Sequence, residues 1–468
     1  MHDARCTIQD TGKMKGKLFV GLHVSCIMYL VSVISILLFT VVPADAGLDV
    51  KREVLENGLT LIIVERHNLP VVMVTVGIKA GTLMEPEEKA GLANLTAVLL
   101  KEGTKSRTAL QTSEEIEFVG ASLSASGGDD YITATLSVLK KDVSLGFDLL
   151  SDIILNPVFP EKELTKKVKQ IKAGLKSSEE SPGFVASKAF IKEVFGAHPY
   201  GRLTSGSPET LDKIKRDDVI DFHSKFYLPG NAVMSVVGDI TAKEVKTLLE
   251  RFFSEWNAKE LDAPYLPEIK STKKRKTVIV DKDLTQANII LGHIGVSRDN
   301  PDYYKLSVMN YILGSGGFVS RLMQNLREEK GLVYDIHSFF AADKYGGAFQ
   351  AGLQTKNESA NTAIEEVLKE IRKIRNTLVS DAELSDAKSF LTGSFPMRIE
   401  TSRRIANFLV AVEYYGLGMD YIDKYPQYIN SVTKEDVQRV AKKYLDPEKF
   451  ILVIVADQEK AAIRPEFK

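Results

Sequence analysis

Cysteine is nearly absent. The chain has 468 residues and two cysteines, Cys6 and Cys26, both in the first 26 positions. The rest of the chain therefore holds no thiol nucleophile, no thiolate metal ligand and no disulfide framework. An excess of one charge sign is also missing: 61 Lys plus Arg stand against 62 Asp plus Glu, so no bulk field draws the protein to nucleic acid or anionic lipid. Histidine is sparse. After residue 46 it occurs as His67, His198, His223, His293 and His337, with no H-x-x-H, H-x-x-E-H or H-x-x-x-H pair, which excludes a local zinc site and leaves each as a structural or surface residue. The Gly-rich stretch Gly314-Ser315-Gly316-Gly317 lacks a following Gly-Lys-Ser/Thr. It is a helix break rather than a phosphate loop. With 44% apolar and 26% charged residues the composition is globular, and the length suggests about two to four domains.

What is present begins at the N-terminus. Leu18 to Val42 contains no charged residue, Lys13, Lys15 and Lys17 precede it, and Ala44-Asp45-Ala46 follows as a small-residue cleavage site. Residues 1–46 read as a secretory signal peptide. The run is 25 residues long, enough to span a bilayer, so an uncleaved membrane anchor is the alternative. Either way the globular part is expected to be exported, to the periplasm or the envelope.

Beyond Gly47 the pattern alternates β-rich and helical stretches. Gly58–Val64, Val71–Ile78 and Tyr131–Val138 read as strands, and Glu85–Leu100, Asp142–Leu155 and Glu161–Ser178 as helices. Glu85–Glu88 and Glu114–Glu117 read as helix-start and solvated-face charge. An internal repeat organises the whole: Asp218 to Asp239 lines up without a gap on Asp436 to Asp457, at a constant offset of 218. The expected fold is α+β, in two homologous halves, each an antiparallel sheet with helices mainly on one face. Residues 47–263 form one half and 277–468 the other, with 264–276 a solvated linker marked by Pro264, Pro267 and the basic run to Lys276.

At this point the residues resemble a known family. Gly81-Thr82, Glu85-Pro86 and Gly91-Leu92-Ala93-Asn94 through Lys101-Glu102-Gly103-Thr104 are similar to the signature helix of the pitrilysin/insulinase-type zinc metallopeptidases, the inverzincins. His198-Pro199-Tyr200-Gly201, Leu228-Pro229-Gly230-Asn231 and Leu326-Arg327-Glu328-Glu329-Lys330-Gly331-Leu332-Val333-Tyr334 resemble further motifs of that family. The family's active site is H-x-x-E-H on a helix, two imidazoles for zinc and a Glu to activate the bound water. Here the imidazole positions are Asn94 and Val98, the base position is Ala97, and the third-ligand position falls on Gly174. None can take up its role. The resemblance implies no metal in this chain, and zinc in a partner subunit instead.

The same resemblance implies that Arg327 and Tyr334 hold substrate beside a zinc site, as donors to a peptide carbonyl and its oxyanion. Without it they would read as a helix-surface charge and a half-buried strand aromatic. Ser124, Ala125 and Ser126 fall where the family has an exposed sheet edge to which an extended peptide adds as a strand. The expected function is the non-catalytic subunit of a heteromeric exported zinc metallopeptidase, contributing peptide binding and the Arg/Tyr pair in trans. The expected partners are a homologous zinc-binding peptidase subunit and an extended peptide, with no nucleic acid, and with membrane only if the leader stays. A structural or assembly subunit of an envelope complex, or a free-standing peptide-binding protein, are the alternatives. N-terminal sequencing of the protein from its native host is expected to return Gly47-Leu48-Asp49; a chain that retains residues 1–46 would make the segment an anchor.

Overall fold

The structure, a computed structural model, describes residues 48–261, 266–270 and 274–467. The expected leader and parts of the expected linker lie outside the described residues. No helix among the described residues is long and apolar enough to cross a membrane. Residues 49–468 form one compact unit built on two sheets. The first has six strands: β1 (Lys51–Val54), β2 (Thr60–Glu65), β3 (Val71–Ile78), β4 (Ser122–Ser126), β5 (Ile132–Leu139) and β6 (Ala232–Gly238), in the order β1-β2-β6-β3-β5-β4. The second has five: β7 (Lys276–Asp281), β8 (Gln286–Ile294), β9 (Val333–Ala342), β10 (Gly347–Lys356) and β11 (Ile451–Ala456), in the order β7-β11-β8-β10-β9.

The repeat seen in the sequence is a repeat of topology. β6 lies between β2 and β3, and β11 between β7 and β8. Gly77 faces Val233 across the first sheet, and Gly292 faces Ile451, the residue 218 further on, across the second. The expected all-antiparallel sheets hold with one exception each. β2 runs parallel to β6, and β7 to β11, because β6 and β11 return only after long helical excursions, and such a crossover permits a parallel neighbour where a tight turn does not.

One face of each sheet carries its own helices. In the first half α1 (Leu92–Leu99), α2 (Val143–Leu155), α3 (Glu161–Ser178) and α5 (Arg216–Phe226) surround a core that includes Leu95, Leu99, Phe147 and Phe222. In the second, α6 (Tyr303–Asn310), α7 (Ala360–Asn376) and α9 (Lys434–Tyr444) do the same around Leu326, Phe349, Ile371 and Phe450. The opposite face takes a helix from the other half. α4 (Pro182–Phe195) lies on β8 and β11, and α8 (Ser402–Tyr415) on β3 and β6. The two seats are equivalent positions. A Cβ at Gly77 would stand 2.5 Å from Val410 Cγ1, and one at Gly292 would meet Phe349 O of β10 at 2.0 Å and Phe190 Cζ at 2.7 Å, so the covering helix excludes a side chain at the first seat, and helix and neighbouring strand together at the second.

The two seats differ in chemistry. Phe190, Ala186 and Val194 bury an apolar face against Ile290, Ile451, Val453 and Val455, where truncating a buried Phe to Ala costs about 3–5 kcal/mol. Over the first sheet the contact is polar: Thr75 Oγ1 bonds Asn407 Oδ1 at 2.8 Å, and Arg52 grips Glu413 with two bonds of 2.8 and 2.7 Å.

A third junction joins the β4–β5 turn to the β9–β10 turn. The buried Asp130 carboxylate accepts from Tyr200 Oη, Tyr415 Oη (2.9 Å) and the Lys344 N–H (3.3 Å). Asp129 beside it accepts from Thr82 and Thr204. Burial, together with the charges of Asp130 and Asp129, pushes the Asp343 carboxyl up to about 7. Lys344 and the phenols of Tyr131, Tyr200, Tyr414 and Tyr415 complete this surround. The folded chain thus holds a proton on Asp343 that the unfolded chain releases near the ordinary value of 3.8, so stability falls as pH rises from about 4 to 7 and levels off above. Asp343→Asn is expected to melt at a higher temperature than the parent at pH 8, with the gap closing by pH 4, in thermal denaturation across that range.

Candidate functional site

The helix expected over Glu85–Leu100 starts only at Leu92. Pro86 opens a separate short turn, and Gly91, at φ +100°, redirects the chain into α1. Glu85 is the cap: its carboxylate accepts the N–H of Gly91 at 2.9 Å and of Ala93 at 3.0 Å, supplying partners to a helix start that has none of its own. This residue is not on a solvated face, as the sequence suggested. It is 5% exposed, and burial pushes its carboxyl up to about 8 against the pull of the two amides. Glu87 and Glu88 are exposed as expected.

On α1 the family's metal-binding positions have taken up packing and hydrogen bonding. Asn94 Oδ1 accepts the Gly127 N–H at 3.1 Å, fastening α1 to the end of β4. Ala97 is fully buried in the first core and Val98 packs against it. Gly174 sits on α3, which packs against α1, and a Cβ at Gly174 would meet nothing within 4 Å. Sterics therefore do not impose glycine there, and the glycine itself supplies no donor. Zinc takes imidazole, thiolate or carboxylate; a carboxamide engaged with a backbone amide, a valine and a glycine do not fit it. Among the described residues no group of three or more His, Cys, Asp or Glu is placed to hold a metal.

β4 is an edge strand, paired with β5 alone. The Ser124 hydroxyl pairs with Thr135 at 2.8 Å and that of Ser126 with Thr133 at 3.2 Å, while Ala125 packs against the first core. With these side chains engaged, the outer main-chain groups of β4 remain as the hydrogen-bonding edge.

Arg327 and Tyr334 lie in the other half and touch each other. Arg327 is on a wide π-helical turn, Met323–Glu329, and Tyr334 is the second residue of β9. The guanidinium carbon sits 4.7 Å from the Tyr334 ring centroid and 4.6 Å from that of Phe318, with Glu328 3.6 Å from Nε. Stacking against rings holds a guanidinium while leaving its in-plane N–H groups free to bond a carbonyl or carboxylate. Tyr334 is 81% exposed, so it is not the half-buried strand aromatic that its position alone suggested. Phe318, 57% exposed, was missed in the sequence; its signal was a large apolar residue directly after Gly316-Gly317, where the chain is least able to bury one. The five histidines after residue 46 each have a hydrogen-bond partner of their own: His67 with Asp239, His198 with the Tyr200 amide, His223 with Ile154, His293 with Ile294 and His337 with Asp335.

Fold and site together define a duplicated α+β chain that keeps the scaffold of a metallopeptidase helix without its metal donors. Family models agree with both halves. The insulinase (peptidase family M16) model matches residues 61–207, and the peptidase M16 inactive domain model residues 213–391. A Bacillus subtilis protein described as an uncharacterized zinc protease, YmxG, is 26% identical over 87% of this chain and 98% of its own length. A Helicobacter pylori protein described as a non-peptidase homolog, also YmxG, is 26% identical over 91% and 98%. A solved structure from Pseudomonas fluorescens, titled a peptidase M16 inactive domain, superposes with TM-score 0.81 at 26% identity, covering 87% of this chain and 98% of that one. The chain belongs to the insulinase family, peptidase family M16, and with Asn94, Ala97, Val98 and Gly174 in place of zinc ligands and base it is an inactive peptidase homologue. Asn94→Ala is expected to lower unfolding free energy by about 1–2 kcal/mol, the cost of leaving the part-buried Gly127 amide unpaired, as read by urea denaturation.

Proposed function

We propose that this chain is the non-catalytic subunit of an exported, heteromeric zinc peptidase. A homologous partner supplies H-x-x-E-H and zinc, and this chain holds an extended peptide and presents Arg327 and Tyr334 to it. One observation carries the reading: the Arg327 guanidinium is stacked between Phe318 and the highly exposed Tyr334, a costly exposure of aromatic surface for a fold to keep when its own metal positions are gone. The open edge of β4 supports strand addition by the peptide, and the leader-like residues 18–42 support export.

Affinity purification of the tagged full chain from its native envelope fraction is expected to recover, in near-equal amount, a chain of similar length carrying H-x-x-E-H. Recovery of the tagged chain alone overturns the heteromeric reading. In the assembled enzyme, Arg327→Ala or Tyr334→Phe is expected to lower peptide turnover by roughly 10²–10³, the scale for one lost oxyanion donor. Unchanged turnover in steady-state assays removes the pair from the mechanism.

A further inference from the structure

The duplication allows each position of one sheet to be compared with its twin in the other. On the face of the first sheet that receives α8, Met73 stands opposite Ser137, Thr75 opposite Thr135, and Thr135 opposite Ser124. The hydroxyls bond one another, Ser124 with Thr135 at 2.8 Å and Ser126 with Thr133 at 3.2 Å. In the second sheet the twin of Met73 is Asn288, opposite Gln354, and the twin of Thr135 is Gly352, opposite His337. The closed hydroxyl surface of the first half has become an opening ringed by carboxamides.

That opening is a cavity of about 250 Å³. Gly352 is its floor, Gly183 and Ala186 of α4 form one wall, and Asn288, Gln350, Gln354 and His337 converge on it beside Tyr334. Asn288 Nδ2 is buried without a hydrogen-bond partner among the described residues. An unpaired buried amide is destabilising. Its twin is a methionine, so packing alone does not call for a polar group here, and the space above Gly352 is empty by design of sequence: a Cβ there would meet only the His337 ring, at 3.8 Å and beyond.

We infer that this cavity is a side-chain subsite for a neutral hydrogen-bonding residue, a carboxamide above all, in the extended peptide the chain holds. The inference rests on the peptide-holding reading above. A glutamine or asparagine side chain offers an oxygen to Asn288 Nδ2 and N–H groups to the amide oxygens around it. A carboxylate is disfavoured, because the charged side chain lining the cavity is Asp335, itself engaged with His337 Nδ1 at 3.2 Å. An aliphatic side chain would leave Asn288 unpaired. Tyr334, at the cavity edge, ties the subsite to the Arg327 pair.

The test is fluorescence anisotropy of the full chain with labelled unstructured decapeptides in which each position in turn is Gln, Leu or Glu. At one position Gln is expected to bind about tenfold tighter than Leu or Glu. Gly352→Ala, whose Cβ stands on the floor without a clash, and Asn288→Leu, which removes the unpaired amide, are each expected to erase that preference while the melting temperature is held or raised. A preference that survives both variants, or equal binding of all side chains at every position, overturns the subsite and leaves the peptide-holding function standing. Binding of no peptide overturns both.

Discussion

The molecule depends on two holes, one in each sheet. At Gly77 and Gly292 the sheet surface has no side chain, and into each space a helix of the opposite half sets a single apolar group, Val410 in one and Phe190 in the other. A sheet with one bare face must bury it, and here each half completes the other. The crossing brings the β4–β5 turn against the β9–β10 turn, so that three aspartates and a set of phenols meet between halves. It also lays α4 beside the carboxamide-ringed cavity, whose wall that helix supplies.

Much of this was legible in the sequence, for identifiable reasons. The constant offset of 218 announced the duplication because an exposed amphipathic helix, a Pro turn and a fully buried strand leave a strong pattern. Period-two stretches such as Tyr131–Val138 gave β5 to within a residue, and Glu161–Ser178 was found at its true bounds. The loss of metal donors at Asn94 and Val98 needed only the alignment of a resembling helix, and that at Gly174 the resembling family's spacing to its third ligand. What escaped had no local signature. Glu85 looked like surface charge because nothing in its neighbours tells that its carboxylate turns back on Gly91 and Ala93. The crossing of α4 and α8 escaped because a helix's pattern says which face is apolar and not whose sheet it covers. Phe318 and Asn288 carried meaning only once Arg327 and the twin position Met73 were beside them.

Loss and retention fall on different halves. In the first, the positions that would hold metal have been absorbed into ordinary work: Asn94 ties a turn, Ala97 and Val98 fill a core. In the second, Arg327 and Tyr334 keep an exposed pairing beside Phe318, on the side of the sheet edged by β9.

The exchange of helices also sets an order of events in synthesis. The first sheet is complete once β6 has emerged, yet its covering helix begins at Ser402, nearly the last part of the chain to be made. Throughout that interval its face stands open to water. The row Ser235, Thr75, Thr135 and Ser124 crosses that face, and a wettable surface of this kind resists the sticking together of unfinished chains that bare apolar strands invite. The second sheet, assembled last, meets α4 already made, and the seat under Phe190 is aliphatic. The contrast between a hydroxyl-lined and an oily seat thus matches the time each one waits.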